Sequence, residues 1–180
     1  MLNYFNNAAT SFPKPNVIEK SVADFFKNPP VNSSRSCNCI KKENDVDVVC
    51  KKKLRDFLSI SDDYELILTP GATYSANIAI NAISKKLDKP ILISNSWCHN
   101  CIMRNHFARI GTTPILLDDF KDIHNTIHDN NYYIAITHQN NVDGNIIDDE
   151  TIIDIISKCS KYNIPVILDI TQSIGSHPID

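Results

Sequence analysis

Four short segments combine residue types that can bind or activate a small molecule. Thr69-Pro70-Gly71-Ala72-Thr73 puts a glycine turn and a hydroxyl between an apolar run and a helical pattern. Free amides at a helix start, helped by the helix dipole, attract an anion, and Thr73 can add a hydroxyl donor. No GK[ST] sequence follows and no GxGxxG is present, so this is neither a Walker loop nor a dinucleotide fingerprint. His99, after Trp97-Cys98, opens a second helical pattern, where an imidazole can stack on a flat ring or bind a metal. The loop His138-Gln139-Asn140-Asn141-Val142-Asp143-Gly144 can point one of its paired amides into a site. Asp169 ends the apolar run Ile164–Leu168, with Gln172 three residues on. A carboxylate so placed is partly buried and needs a partner, such as a metal or a protonated heterocyclic nitrogen. Each segment also has a plain structural reading: a capped helix, a satisfied histidine, an Asx turn and an N-cap.

Other chemistries find less support. Cys37-Asn38-Cys39 and the CxxC at Cys98 and Cys101 could supply four thiolates, but CxC is not a usual structural-zinc spacing and the pairs fall on different elements. No metal site is therefore expected. There is no GxSxG elbow for a hydrolase. A net charge of −3 and pI near 6.0, without a basic stripe, argue against nucleic acid as the main partner. No apolar run is long enough to span a membrane and no secretory signal is visible, so a cytoplasmic location is expected and the six cysteines read as reduced thiols.

The elements that must position these residues follow from periodicity. Apolar runs at Glu65–Thr69, Pro90–Ser94, Thr113–Leu117, Tyr132–Thr137 and Pro165–Asp169 read as strands. Helical patterns at about Thr73–Lys86, His99–Ile110, Phe120–Asp129 and Asp149–Tyr162 alternate with them. Nearly continuous apolar strands between amphipathic helices imply an α/β fold with a mostly parallel, doubly covered sheet. Ligands bind outside the carboxyl ends of such strands, and all four segments sit there. An N-terminal arm carries a helix from Val17 to about Lys27, capped by Asn16, and the Pro-, Ser- and Asn-rich stretch Asn28–Asn38 separates it from a helix at about Glu43–Leu58. The 180 residues suffice for one sizeable core, not two comfortable domains.

Taken in order, the motifs resemble the class V aminotransferase family of fold-type I pyridoxal-phosphate enzymes, and within it the cysteine desulfurase and selenocysteine lyase group. Tyr4-Phe5-Asn6-Asn7-Ala8-Ala9-Thr10 is similar to that group's YxDNAAT opening. Thr69–Thr73 resembles its SGAT loop, Ser96–Asn100 its EH segment, and Asn140–Gly144 its NNxxG. Asp169–Gly175 with His177-Pro178-Ile179-Asp180 resembles DxxQSxG…PID. The resemblance implies pyridoxal 5'-phosphate as cofactor. Ala72 (through its backbone) and Thr73 would hold the phosphate, and His99 would stack on the ring as the catalytic histidine. Asn141 and Gln172 would address the phenolic oxygen, and Asp169 the pyridine nitrogen. It further implies an amino-acid substrate of the cysteine or selenocysteine type, C–S or C–Se cleavage, a homodimer in the complete form and a sulfur-acceptor protein.

The chain departs from the family pattern at Asn6 (family Asp), Cys98 (Glu) and Tyr74 (Glu), and in Asn32–Asn38, which lacks both glycines and the final histidine of an NPGRSGH-type stretch. The family's Schiff-base lysine lies about 25 residues beyond the aspartate matched by Asp169, and no lysine follows Lys161. The expected organisation is an arm and loop over residues 1–40, part of a large cofactor domain over 41–180, and an absent C-terminal small domain. In that family the strands, numbered along the chain, lie side by side as three, two, four, five, two later strands, then one. Glu65–Thr69 would then lack a neighbour, so the chain is expected to be part of a working unit. A non-catalytic remnant or interaction module of the same fold is the alternative.

Overall fold

The computed structural model describes residues 3–27 and 45–178; the stretch before the second helix, with Cys37 and Cys39, lies outside the described residues. Two compact units divide the chain between Leu68 and Thr69.

Among the described residues the first unit contributes two helices, α1 (Asn16–Lys27) and α2 (Val46–Phe57). Asn16, expected as the cap of α1, is instead its first residue. Asp45 caps α2 by accepting the Asp47 amide at 3.0 Å. The opening motif closes on itself: the Tyr4 hydroxyl donates to the carbonyls of Asn6 and Thr10, and Asn7 accepts the Phe12 amide. Glu65–Thr69 is not a strand; it runs as irregular chain. A strand is stabilised by its ladder, and none of the described strands pairs with this segment.

The second unit, Thr69–Pro178, holds a four-stranded parallel sheet. Its strands are β1 (Ile91–Asn95), β2 (Ile115–Leu117), β3 (Tyr132–Thr137) and β4 (Val166–Asp169), in the order β2-β1-β3-β4. That is the side-by-side order the resemblance implies for these four strands. The helices are α3 (Ala72–Lys86), α4 (Asn100–Arg109), the short α5 (Ile123–Thr126) and α6 (Asp149–Lys161). The helical pattern at Phe120–Asp129 breaks into a 3₁₀ turn and α5, because the Asp129 carboxylate takes the Asn131 amide at 2.7 Å and turns the chain into β3.

Side-chain alternation along β3 builds a three-layer core. Ile134 and Ile136 face one apolar cluster with Phe120, Ile123, Ile152 and Ile155 from the α5–α6 side. Tyr133 and Ala135 face another with Ile80, Ile83 and Ile102 from α3 and α4. One buried polar pair within these layers is the His106–Tyr133 contact. His106 Nε2 lies 2.6 Å from the Thr112 carbonyl, which only a donor can approach, so Nδ1 at 2.7 Å accepts the Tyr133 hydroxyl. Burial keeps this imidazole below its usual pKa and therefore neutral near pH 7. In β4 every residue is only half-buried, as befits the strand at the end of the sheet order.

Candidate functional site

The carboxyl ends of β1, β3 and β4 open toward the start of α3, and the chemistry collects there. Gly71 precedes α3 with φ 152° and ψ 171°, a conformation left almost entirely to glycine. Having no side chain, it gives α3 no side-chain cap; its carbonyl takes the Tyr74 and Ser75 amides, which leaves the Ala72 and Thr73 amides to an external acceptor. Thr69 holds the turn, its hydroxyl lying 2.7 Å from that of Ser75 and 3.2 Å from the Gly71 carbonyl.

The next strand end is fixed by Asn95. This fully buried side chain donates to the Thr137 carbonyl at 3.0 Å and accepts the Thr137 amide at 3.1 Å, extending the β1–β3 ladder with side-chain atoms. Thr137 in turn receives the His99 amide on its hydroxyl at 3.3 Å. His99 caps α4 by accepting the Cys101 amide on Nδ1 at 3.2 Å, which leaves the proton of the neutral ring on Nε2. Its capping role and its place at the strand mouth coexist.

The loop after β3 is built from Asx turns, as its composition suggests. Asn140 accepts the Val142 amide and Asp143 the Asn145 amide, each at 2.9 Å. Beyond β4, Asp169 Oδ1 takes both the amide of Thr171, at 3.0 Å, and its hydroxyl. The second carboxylate oxygen has no hydrogen-bond partner among the described residues.

These elements surround one pocket lined by Ala72, His99, Cys101, Thr137, Gln139, Asn141, Asp169, Thr171 and Gln172. Five of the six residues read from sequence meet there: Ala72, His99, Asn141, Asp169 and Gln172. Thr73 does not line it and is exposed on the first turn of α3. An apolar cavity of about 320 Å³ adjoins it under α3, sharing Ala72, Cys101, Asp169 and Thr171. Sequence reasoning assigned no role to Thr137 or Thr171, whose signal was their position at or just beyond strand ends, and weighed Cys101, in the first turn of α4, only as part of the CxxC. Gln139 is the more telling addition, because its buried Oε1 has no partner among the described residues.

The donor set has a definite polarity. A half-buried carboxylate with one free oxygen suits a cationic ring nitrogen, while the uncapped amides of α3 suit a phosphate. Gln139 and Asn141 supply amide groups between them. The residues therefore fit a flat, zwitterionic, phosphate-bearing cofactor. The thiols here are held above the usual cysteine range. Burial first, then the Asp169 carboxylate and Cys98, push the Cys101 thiol up to about 11. Burial also raises Cys98, against hydrogen bonds with Ser94 and Thr137.

Comparison with known proteins bears on the fold and the family. Over 186 residues the chain is 31% identical to the putative cysteine desulfurase PbSufS of Plasmodium berghei (strain Anka), covering 94% of this chain and 34% of that protein. It is 27% identical over 194 residues to the cysteine desulfurase IscS of Proteus mirabilis (strain HI4320), covering 98% and 46%. The chain thus spans about a third to a half of the length of the curated relatives it matches. Among solved structures it is similar to a NifS-like protein, with a TM-score of 0.76 and 19% identity over 97% of this chain and 50% of that one. It is also similar to a structure described as SspA in complex with cysteine, with a TM-score of 0.69 and 23% identity over 93% and 50%. The model of one family, aminotransferase class-V, matches residues 3–180, nearly the whole length, and the chain belongs to that family.

Proposed function

We propose that this chain is the cofactor-holding portion of a pyridoxal-phosphate-dependent, cysteine desulfurase-like enzyme, acting on cysteine or a selenocysteine-like amino acid. In this reading residues 1–40 form an arm and 41–180 part of the large domain. The observation that carries the reading is the convergence of Ala72, His99, Asn141, Asp169 and Gln172, from four separated segments, on one pocket. A fold retained only for packing has no need of a free carboxylate oxygen, an uncapped helix start and an orphaned amide oxygen in the same place.

When bound, pyridoxal phosphate supplies an electron sink that stabilises negative charge on the substrate carbon. The chain's own residues would prepare that sink. Asp169 would keep the pyridine nitrogen protonated, its own orientation fixed by Thr171. The amides of Ala72 and Thr73, at the positive end of α3, would anchor the phosphate, with the Thr73 hydroxyl beside them. His99 would cover one ring face, held by the Cys101 amide and by Thr137 beneath its backbone. Asn141 and Gln172 would address the phenolic oxygen. Cleavage of C–S or C–Se bonds, a homodimer and a sulfur-acceptor protein belong to the complete enzyme under this proposal.

Titration of the 180-residue chain with pyridoxal phosphate, followed by absorbance and protein fluorescence, tests the reading. Saturable one-to-one binding, weakened by inorganic phosphate and by His99→Ala, is expected. Absence of saturable binding by a folded chain would remove the proposal's foundation.

A further inference from the structure

On the side of the β3 end away from the pocket residues, three metal-ligating side chains converge. His138 lies between pocket-lining Thr137 and Gln139 but does not line that pocket. Its ring is 2% exposed, and Nδ1 lies 2.9 Å from the Ser173 hydroxyl. That hydroxyl also reaches the Ile170 carbonyl at 3.4 Å, so it donates there and accepts from Nδ1–H. In the tautomer that donates Nδ1–H to Ser173 the lone pair lies on His138 Nε2, a buried nitrogen with no hydrogen-bond partner among the described residues. What it faces is the Asp149 carboxylate at 3.9 Å, too far for a hydrogen bond, and the His177 ring at 5.4 Å between centroids. His177 Nε2 lies 3.7 Å from the same Asp149 oxygen. One donor atom from each of the three residues falls within 4.8 Å of the others.

We propose that His138, Asp149 and His177 bind a divalent transition metal of the zinc class, a site separate from the cofactor pocket. Two imidazoles and one carboxylate are a borderline donor set that suits Zn²⁺, with water as a fourth ligand. Bonds of about 2.0–2.1 Å place tetrahedral donors about 3.4 Å apart. The two Asp149 spacings need a contraction of about 0.3–0.5 Å, which the exposed Asp149 side chain can supply by rotation, and the two imidazole nitrogens, within 4.8 Å of each other, close by up to about 1.4 Å through movement of the half-exposed His177. His138 already has the outer contact typical of a metal-bound histidine, its other ring nitrogen donating to a fixed oxygen. The three ligands come from the end of β3, the first turn of α6 and the segment after β4. A metal there would pin the stretch carrying Gln172 to the body of the sheet. No metal was expected from sequence, where the cysteine spacings, His99 and Asp169 were weighed and these three residues were not; the histidines are 39 residues apart and converge only through the fold.

The test is titration of the full chain with Co²⁺, and with Zn²⁺ as competitor, for the wild type, His177→Gln and Asp149→Asn. Both changes fall on side chains that are not buried, so the fold should survive, which circular dichroism checks. The expected result is one equivalent bound with the ligand-field spectrum of a nitrogen–oxygen site, and at least tenfold weaker binding in each variant. Zn²⁺ should raise the thermal midpoint of the wild type and not of the variants. Absence of saturable uptake, or uptake equal in wild type and both variants, would overturn the proposal; the second result would place the metal on the cysteines.

Discussion

Replacing Asp169 by Asn separates the charge of this residue from its shape. In the structure Oδ1 is committed to the Thr171 amide and hydroxyl, and the other oxygen is uncommitted. Asparagine can keep its carbonyl on Thr171, so the turn and the stability of the chain should change little. At the uncommitted position the substitution replaces an anionic acceptor with an NH₂ donor facing a protonated nitrogen. A hydrogen bond to a charged group contributes about 1.5–3 kcal/mol. At about 1.4 kcal/mol per factor of ten, the Kd for pyridoxal phosphate should rise by about 10- to 150-fold. Fluorescence titration at neutral pH measures the shift, and a urea melt of the same samples establishes that the fold is intact. Asp169→Ala should weaken cofactor binding at least as much and also lose the turn contact. A Kd within twofold of wild type in a folded Asp169→Asn chain would refute the role given to this carboxylate.

Other outcomes follow from the same geometry. Gly71→Ala meets no steric obstacle, since nothing lies within 4 Å of the added carbon. It must instead adopt φ 152°, and should lower the unfolding free energy by about 1–3 kcal/mol in a urea melt while weakening phosphate binding. Tyr133→Phe strips the partner from His106 Nδ1 in the buried layer and should cost about 1–3 kcal/mol, measured the same way. Stability should also fall at alkaline pH. Burial raises Cys101 and Cys159 from 9.0 to about 11, so the unfolded chain releases those protons first. The contribution is whole below pH 9 and is lost between about 9 and 11, up to about 2–3 kcal/mol per thiol. Urea midpoints under reducing conditions that stay flat from pH 8 to pH 10 would contradict this.

Much of the sheet was legible because β1 and β3, largely buried, and β4, half-buried, are apolar-rich runs flanked by turn residues, so period and composition agree. Glu65–Thr69 has the same local pattern yet forms no strand, since a ladder depends on a neighbour that local sequence does not specify. Phe120–Asp129 shows the opposite conflict, where the helical pattern yields to the Asx turn at Asp129. At the candidate site, strand-end logic brought five of the six residues together, while Thr73 fell outside the pocket lining. Gln139 was visible only as a member of a polar loop. Its burial without a partner, like that of His138 Nε2, is set by tertiary packing and has no local signature.

The most direct test of the central claim is where the cofactor lands. A ¹⁵N–¹H correlation spectrum of the chain, titrated with pyridoxal phosphate, reads this residue by residue. The account predicts saturating shifts concentrated at Ala72, Thr73, His99, Gln139, Asn141, Asp169 and Gln172, with the core of α6 unmoved. Shifts centred elsewhere in a folded chain, or none at saturating cofactor, would contradict it.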